Sequence, residues 1–210
     1  MRTISLIFLI ISFCVPTFAN ADITSTFDTD LEGWTVEGAN YIHRDYGGNP
    51  DGHMDIKDNS AKLNHVLAPE ETYNYGNLSS YNGGILSFDV RLTSPSPSNY
   101  SDFRYGKVTI TGSTGVAWID LINTPSASWT TYTTSLTSTA WNVTGNWADI
   151  LSDITKISIV LDEGTRGNSS GFDNFAIKAT VVPEPISYIL FLAGGAALGF
   201  RRYTKKKSIN

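Results

Sequence analysis

The middle of the chain, residues 22–180, alternates short apolar runs with clusters of Gly, Pro, Asn and Ser, and no stretch has the 3.6-residue period of a long amphipathic helix. Residues 85–92 show the pattern best, because their even-numbered positions are all apolar and share one face of a strand. Turn clusters such as 47–50 and 82–84 separate the runs. The segment therefore predicts an all-β sandwich, with one short helix at residues 147–154.

The apolar runs predict seven strands in this segment. They are residues 23–27, 85–92, 107–111, 117–122, 129–136, 157–161 and 172–179. The sequence contains no internal repeat, so we expect a single domain rather than an array of units.

Charge and cysteine content limit the classes of partner. The chain has 15 Lys and Arg against 20 Asp and Glu, and residues 22–180 hold 19 of the acidic and 9 of the basic residues, a formal charge of −10. Phosphate binding depends on Lys and Arg, so we expect no nucleic-acid partner. Such a domain would also repel an anionic polysaccharide unless calcium or a neutral aromatic patch intervened. Cys14 is the single cysteine, which excludes a disulfide framework.

The N-terminal segment, residues 1–21, has the features of a secretory signal peptide. Arg2 supplies a positive start, residues 4–13 form an apolar run, and Ala19-Asn20-Ala21 has the small-x-small pattern of a cleavage site. We therefore expect an exported protein.

The C-terminal segment, residues 181–207, predicts a transmembrane helix at 186–203 that is followed by a basic tail. The positive-inside rule places this tail in the cytoplasm, so the helix would tether the protein to the inner membrane. The residues that define the segment are Val182, Pro183, Glu184, Pro185, Arg201 and Arg202.

This combination of a Pro-Glu-Pro box, a short apolar helix and a basic tail resembles the PEP-CTERM sorting signal. The resemblance implies a Gram-negative bacterium that makes exopolysaccharide and a biofilm. It also implies cleavage by an exosortase-type processing enzyme and transfer to the cell surface or extracellular matrix. A plain tail anchor is the alternative.

A second set of motifs lies in the middle segment. The motifs are Ala68-Pro69, Tyr75-Gly76-Asn77, the run from Ser80 to Phe88, the aromatic positions Trp129, Tyr132 and Trp141, and the stretch from Gly171 to Ile177. In order and spacing they resemble the laminin B module, also called laminin domain IV. The resemblance implies a jelly-roll β-sandwich akin to carbohydrate-binding modules.

Calcium is the one cofactor that these patterns suggest. The stretch from Asp28 to Gly33 resembles the start of an EF-hand loop, but Ala39 stands where that loop needs its bidentate glutamate, so a true EF-hand is excluded. In sandwiches related to the laminin B module, an early strand, a Gly-rich loop and an Asp on the last strand hold a structural calcium ion. The matching positions are Asp28, Asp30, Asp45, Asp51 and Asp173. Alternatively, Asp28 and Asp173 are ordinary residues at strand ends.

Aromatic residues suggest a glycan site, because sugar rings stack on exposed aromatic faces. The resemblance to the laminin B module implies that Trp34, Trp129 and Trp141, which match its spacing, are core residues. The candidates for a sugar-binding face are Trp118, Trp147, Tyr75, Tyr100 and Tyr105.

No catalytic constellation is recognisable, so we expect a protein that is not an enzyme. The histidines lack metal-ligand spacing, and Asp89 and Asp162-Glu163 are interpreted as solvated surface. The sequence thus predicts an exported structural or adhesive protein, which associates with exopolysaccharide. A lectin-like carbohydrate-binding module is the alternative, and a glycoside hydrolase is a remote one.

Overall fold

The computed structural model describes residues 21–58, 62–70, 76–94, 105–122, 126–162 and 167–180. About half of these residues are in strands, and a 3₁₀ turn lies at Ser79–Tyr81. The elements are β1 (Ile23–Ser25), β2 (Thr35–Glu37), β3 (Asn40–Arg44), β4 (His53–Lys57), β5 (His65–Leu67), β6 (Ile85–Ser94), β7 (Lys107–Gly112), β8 (Gly115–Asp120), β9 (Thr130–Ser135), β10 (Asn142–Thr144), α1 (Trp147–Ser152), β11 (Ile154–Val160) and β12 (Ser169–Lys178).

The strands form two six-stranded antiparallel sheets. Sheet A has the order β3-β4-β12-β6-β9, and β1 also pairs with β12, beyond the segment of β12 that pairs with β4. Sheet B has the order β10-β8-β7-β11-β5-β2. The predicted all-β sandwich is confirmed.

The core lies between the inner faces of the two sheets and follows from the alternation of the strands. In β6, Leu86, Phe88 and Val90 are almost fully buried, as the sequence pattern predicts. Trp34 packs against Phe175 of β12, with ring centroids 4.7 Å apart, and its Nε1 donates to Ser25 Oγ at 2.9 Å. Each large side chain buried in this way contributes about 1.5–3 kcal/mol.

The helix α1 closes one end of sheet B. Asn146 is its N-cap residue, and its side-chain oxygen accepts from the backbone N–H of Ala148 at 2.9 Å, which satisfies one of the free donors of the first turn. Ile150 and Leu151 are buried against the sheet. The predicted helix at 147–154 is confirmed, although it ends two residues earlier.

All seven predicted strands are present with shifted ends, whereas β2, β3, β4, β5 and β10 were not predicted. Three of these five have only three residues, too few for alternation to be recognised. The other two, β3 and β4, carry His, Arg, Asp and Lys on one face. The sequence therefore identified the strands with apolar runs and missed the polar ones.

The two predicted targeting segments fall outside this description, except for Ala21. They are the signal peptide and the sorting segment with Val182, Pro183, Glu184, Pro185, Arg201 and Arg202. Within the described ranges, no helix has the length and apolar character needed to cross a membrane.

Candidate functional site

The loop between β3 and β4 folds over the outer face of sheet A. Beneath it, Asp173 of β12 lies directly opposite Asp89 of β6, and both carboxylates are buried. Asn49 joins the loop to both: its backbone N–H donates to Asp173 Oδ2 at 2.7 Å, and its Nδ2 donates to Asp89 Oδ2 at 2.9 Å. Because Asn49 and Asp173 are 124 residues apart, tertiary structure alone brings them together.

Asn174 completes this network from β12. Its φ of 50° accompanies the bulge at which the pairing of β12 with β6 shifts register. Its backbone N–H donates to Asp173 Oδ1 at 2.7 Å, while its Nδ2 donates to Asp89 Oδ2 at 2.8 Å and also to the carbonyl oxygen of Asn49. The two buried carboxylates thus have the partners that their burial requires.

In this network, the carboxyl of Asp173 has a strongly shifted pKa. Burial raises its pKa to about 6, against the opposing effect of the two N–H donors from Asn49 and Asn174. The neighbouring Asp89 and Asp28 carboxylates raise the pKa further.

A stacked group of Trp129, Arg91 and His53 lies next to these acids. The Arg91 guanidinium carbon lies 4.8 Å from the centre of the Trp129 ring, and His53 meets that ring edge to face at 5.4 Å. Trp129 Nε1 donates to the carbonyl oxygen of Gly47 at 3.0 Å, which gives the loop another anchor. The close approach requires Gly171, because a Cβ there would lie 2.6 Å from the Trp129 ring.

On one side of the loop, the outer face of sheet A contains a cavity of about 340 Å³, which we call the arginine groove. Tyr46 is 68% exposed at its rim. Within the groove, Arg44 and Asp55 form an ion pair with a 3.0 Å separation between Nη2 and Oδ2. The lining residues are Arg44, Tyr46, Gly47, His53, Asp55, Lys57, Arg91, Thr93, Ser94 and Ser169.

His53 contributes a neutral ring to the arginine groove. Burial lowers its pKa below the usual value, and the nearby Arg91 lowers it further. Its Nδ1 is buried without a hydrogen-bond partner, and its Nε2 lies 3.5 Å from Arg91 Nη2. The groove therefore has permanent positive charge from its arginines and lysine but none from this histidine at neutral pH.

On the other side of the loop, a cavity of about 270 Å³ has a different lining. Its residues come from β1 and the residue that follows it, and from β6, β9 and β12, and most carry small hydroxyl or apolar side chains. They are Thr24, Ser25, Thr26, Ser87, Asp89, Thr131, Asn174, Phe175, Ala176 and Lys178. No aromatic ring among them is exposed, because Phe175 is buried.

Of the five predicted calcium ligands, two lie near each other, because the charge of Asp28 raises the pKa of Asp173. Asp28 accepts from Thr26 Oγ1 at 2.9 Å, and Asp30 accepts from the backbone N–H of Glu32 at 2.6 Å. Asp45 and Asp51 are exposed, and Asp173 accepts the two N–H groups described above. In the part of the chain that is described, no group of three or more His, Cys, Asp or Glu side chains is arranged to hold a metal.

The aromatic residues occupy positions that differ from the expectation. Tyr105 is fully buried and bonds Ser170 Oγ at 2.7 Å, and Trp147 belongs to the core, where its Nε1 donates to Asn82 Oδ1 at 2.9 Å. Neither ring is available for stacking on a sugar. Trp118 is half-buried on the outer face of sheet B. Tyr75 and Tyr100 lie outside the described residues.

Three further expectations need correction. Trp129 was assigned to the core, but it lies half-buried on the outer face of sheet A. Asp89 does point outward, yet the loop covers it, so it is buried rather than solvated. Asp162 is likewise buried, and its Oδ2 accepts from the backbone N–H of Asn64 at 2.9 Å. Trp34 and Trp141 are core residues, as expected.

Sequence reasoning missed most of the arginine groove, although one signal was present. In β4, Met54 and Ile56 point inward and are buried, while His53, Asp55 and Lys57 line the groove. This alternation with period two indicates a strand, and its outer residues would have been candidates for a site. No local pattern indicated that Tyr46 and Arg91 line the groove, because this depends on where the β3–β4 loop lies on sheet A.

Comparison with known proteins identifies the fold. No family model and no curated protein matches the chain. Among solved structures, it is similar to the L4b domain of human laminin alpha-2, with 12% identity, a TM-score of 0.54, and coverage of 76% of this chain and 98% of that domain. It is also similar to the family 11 carbohydrate-binding module of the cellulosomal cellulase Lic26A-Cel5E of Clostridium thermocellum, with 13% identity, a TM-score of 0.50, and coverage of 78% and 97%.

A third similar structure is that of an exo-beta-agarase, with 16% identity and a TM-score of 0.52. The match covers 76% of this chain but only 24% of the agarase chain. At these identities the three likenesses show a shared β-sandwich fold.

Proposed function

We propose that this protein is a non-catalytic carbohydrate-binding module with a jelly-roll sandwich, and that its ligand occupies the arginine groove. One observation carries the proposal: the exposed ring of Tyr46 stands at the rim of a cavity that also contains the Arg44–Asp55 pair. Sugar sites combine an aromatic platform with a few polar groups that fix orientation, and cavities of about 300–1,000 Å³ are typical. The groove, at about 340 Å³, is large enough for one or two sugar rings.

The fold supports the same function. One of the similar solved structures is described as a carbohydrate-binding module, and it spans three quarters of this chain. The outer face of sheet A, which contains the arginine groove, also carries the hydrogen-bond network of Asp89 and Asp173 and the stacked group of Trp129, Arg91 and His53. This proposal favours the lectin-like alternative over a purely structural or adhesive role.

The carboxylates support a binding function rather than glycoside hydrolysis. A hydrolase needs two carboxyl groups on either side of the scissile bond, about 5–9.5 Å apart. Among the described residues that line the arginine groove, Asp55 is the single carboxylate, and it is paired with Arg44. The acidic pair Asp89 and Asp173 lies under the loop and is hydrogen-bonded by Asn49.

The test is binding to a glycan array, followed by calorimetry with any glycan that binds. Replacement of Tyr46 by Ala should abolish or strongly reduce binding, because it removes the stacking surface. The matched control is Trp118→Ala on sheet B, which removes an aromatic ring from the opposite face and should leave binding intact. The proposal fails if no glycan binds, or if Trp118→Ala rather than Tyr46→Ala removes the binding.

A structural calcium ion is a separate proposal for the region around Asp173. It is supported by the charges of Asp89 and Asp28, which both raise the pKa of Asp173, because a divalent cation would relieve this repulsion. Asp173, Asp28 and oxygen atoms of the β3–β4 loop would be its ligands, in competition with the N–H donors that now bond Asp173. Calcium should then raise the melting temperature and a chelator should lower it, and an unchanged melting temperature would contradict the proposal.

Export and sorting also remain proposals. The signal peptide at 1–21 and the sorting segment at 181–207 would carry the module through the inner membrane to an exosortase-type enzyme, and then to the cell surface or extracellular matrix. A mass measurement on the secreted protein tests this route. The expected mass lacks both termini, whereas a mass that includes the chain through Asn210 would contradict it.

A further inference from the structure

The arginine groove concentrates positive charge on an acidic domain. Residues 22–180 contain 9 Lys and Arg, and three of them, Arg44, Lys57 and Arg91, line this cavity. Asp55 is the one carboxylate among its described lining residues, and His53 is neutral because burial lowers its pKa. The groove thus has a net charge of two positive, whereas the domain as a whole has a formal charge of −10.

Arg91 has hydrogen-bonding capacity that the protein does not use. One face of its guanidinium covers Trp129, its Nη2 lies 3.5 Å from His53 Nε2, and its Nε is buried without a hydrogen-bond partner. A guanidinium offers five N–H donors in a planar fork that matches a carboxylate or sulfate. Within the described residues, Arg91 has no ion-pair partner, in contrast to Arg44, which pairs with Asp55.

The position of Arg91 is held by several neighbours. Gly171 leaves room for its side chain, since a Cβ there would lie 3.2 Å from Arg91 Cγ as well as against Trp129. Trp129 is in turn held by its hydrogen bond to Gly47 of the loop. Preorganisation of this kind lowers the entropic cost of ligand binding.

We infer that the ligand of the arginine groove is an anionic saccharide, whose carboxylate or sulfate group is bound by Arg91 and Lys57 while a sugar ring stacks on Tyr46. This inference rests on the proposed carbohydrate-binding function and names the chemical class of its ligand. It also revises the expectation that the acidic domain would repel anionic polysaccharides. Most of the acids lie outside the groove, and salt screens charges beyond about 8 Å at physiological ionic strength. The nearer acids, Asp89 and Asp173, are hydrogen-bonded by Asn49 and Asn174.

The experiment is calorimetric titration of the protein with three trisaccharides of equal length. One carries carboxylates (trigalacturonic acid), one is a sulfated galactotriose, and one is neutral galactotriose. We expect at least one anionic trisaccharide to bind about tenfold or more tightly than the neutral one, since hydrogen bonds to charged groups are the stronger ones. A rise from 0.15 to about 1 M salt shortens the screening length to about 3 Å and should weaken the anionic ligand but not the neutral one.

Charge-removing variants locate the binding. Arg91→Gln should reduce affinity for the anionic trisaccharide about tenfold or more, and Arg91→Lys should restore part of it. Lys57→Gln, at an exposed position, gives an independent test if Arg91→Gln fails to fold. The matched control is Lys107→Gln, because Lys107 also covers a tryptophan ring, at 4.3 Å from Trp118, but on sheet B.

The outcomes separate the two proposals. Equal or tighter binding of neutral galactotriose overturns the anionic preference and leaves the carbohydrate-binding function intact. Equal losses in Lys107→Gln and in the Arg91 and Lys57 variants also overturn the inference, since charge on any face would then suffice. If none of the trisaccharides and no array glycan binds, the proposed function itself fails.

Discussion

Two pairs of a cation and a tryptophan lie on opposite outer faces of the sandwich, and they have different surroundings. On sheet B, Lys107 covers Trp118 on the neighbouring strand, and this contact lies at the surface. On sheet A, the Arg91–Trp129 pair is part of a network that includes Gly47 of the β3–β4 loop and His53 of β4. The two pairs have the same local chemistry, and they differ because a loop from elsewhere in the chain contacts only the pair on sheet A.

The loop on sheet A can be displaced by a single methyl group. A Cβ on Gly48 would overlap the carbonyl oxygen of Gly52 and lie 2.8 Å from Asp173 Oδ2. We expect Gly48→Ala to lower the free energy of unfolding by about 3 kcal/mol or more, as measured by chemical denaturation. The control Asp45→Ala, at an exposed position of the same loop, should change it by less than about 0.5 kcal/mol. Equal stability of Gly48→Ala and the wild type would show that the loop is not held against the sheet.

The buried carboxylate of Asp173 on sheet A should make the stability of the protein depend on pH. Its pKa is raised from 3.8 to about 6, so the folded state binds a proton more tightly than the unfolded state. The contribution of Asp173 to stability is therefore fully present below pH 4 and is lost as pH rises through about 6. The loss amounts to about 3 kcal/mol at most.

This pH effect is measured as the difference in unfolding free energy between the wild type and Asp173→Asn from pH 4 to pH 7. The wild type should lose stability relative to the variant across that window. The control is Asp120→Asn on sheet B. Partial desolvation also raises the pKa of Asp120, but this residue is much more exposed than Asp173, so a smaller difference is expected. Parallel pH curves for the wild type and Asp173→Asn would contradict the prediction.

The two tryptophans should differ in their contribution to stability. Trp129→Ala removes a hydrogen bond to the loop and a surface for Arg91 and His53, so we expect a cost of about 2 kcal/mol. Trp118→Ala removes a ring at the surface and should cost about 1 kcal/mol. Urea unfolding of both variants tests the ranking, and an equal or larger cost for Trp118→Ala would reverse the comparison.

The smallest effect concerns ligand affinity. Asp55 pairs with Arg44 in the arginine groove, so Asp55→Asn should free the guanidinium and increase affinity for an anionic trisaccharide about threefold. The control Glu37→Gln breaks the Lys156–Glu37 ion pair on sheet B and should leave affinity unchanged. Calorimetry measures both, and weaker binding by Asp55→Asn would show that Asp55 itself contacts the ligand.

The inner half of the fold was predictable from the sequence because apolar alternation records which face of a strand is buried. The run in β6 placed Leu86, Phe88 and Val90 in the core, and a short helix was predicted at 147–154, where the structure has one at Trp147–Ser152. The polar strands β3 and β4 were missed, although they carry Arg44, His53 and Asp55 of the candidate site. Apolar runs are the strongest signal of a strand, and the polar outer residues of β3 and β4 interrupt such runs.

Local sequence patterns are enough to predict an all-β sandwich between residues 22 and 180, because alternation and turn residues act over a few positions. Tertiary contacts, by contrast, bring together the outer-face residues of the candidate site. Asn49 contacts Asp173 and Asp89 from 124 and 40 residues away, and Trp129 contacts Gly47 from 82 residues away. Contacts at such separations depend on the order of strands in the sheet and on the path of one loop, and local sequence patterns do not encode either of these.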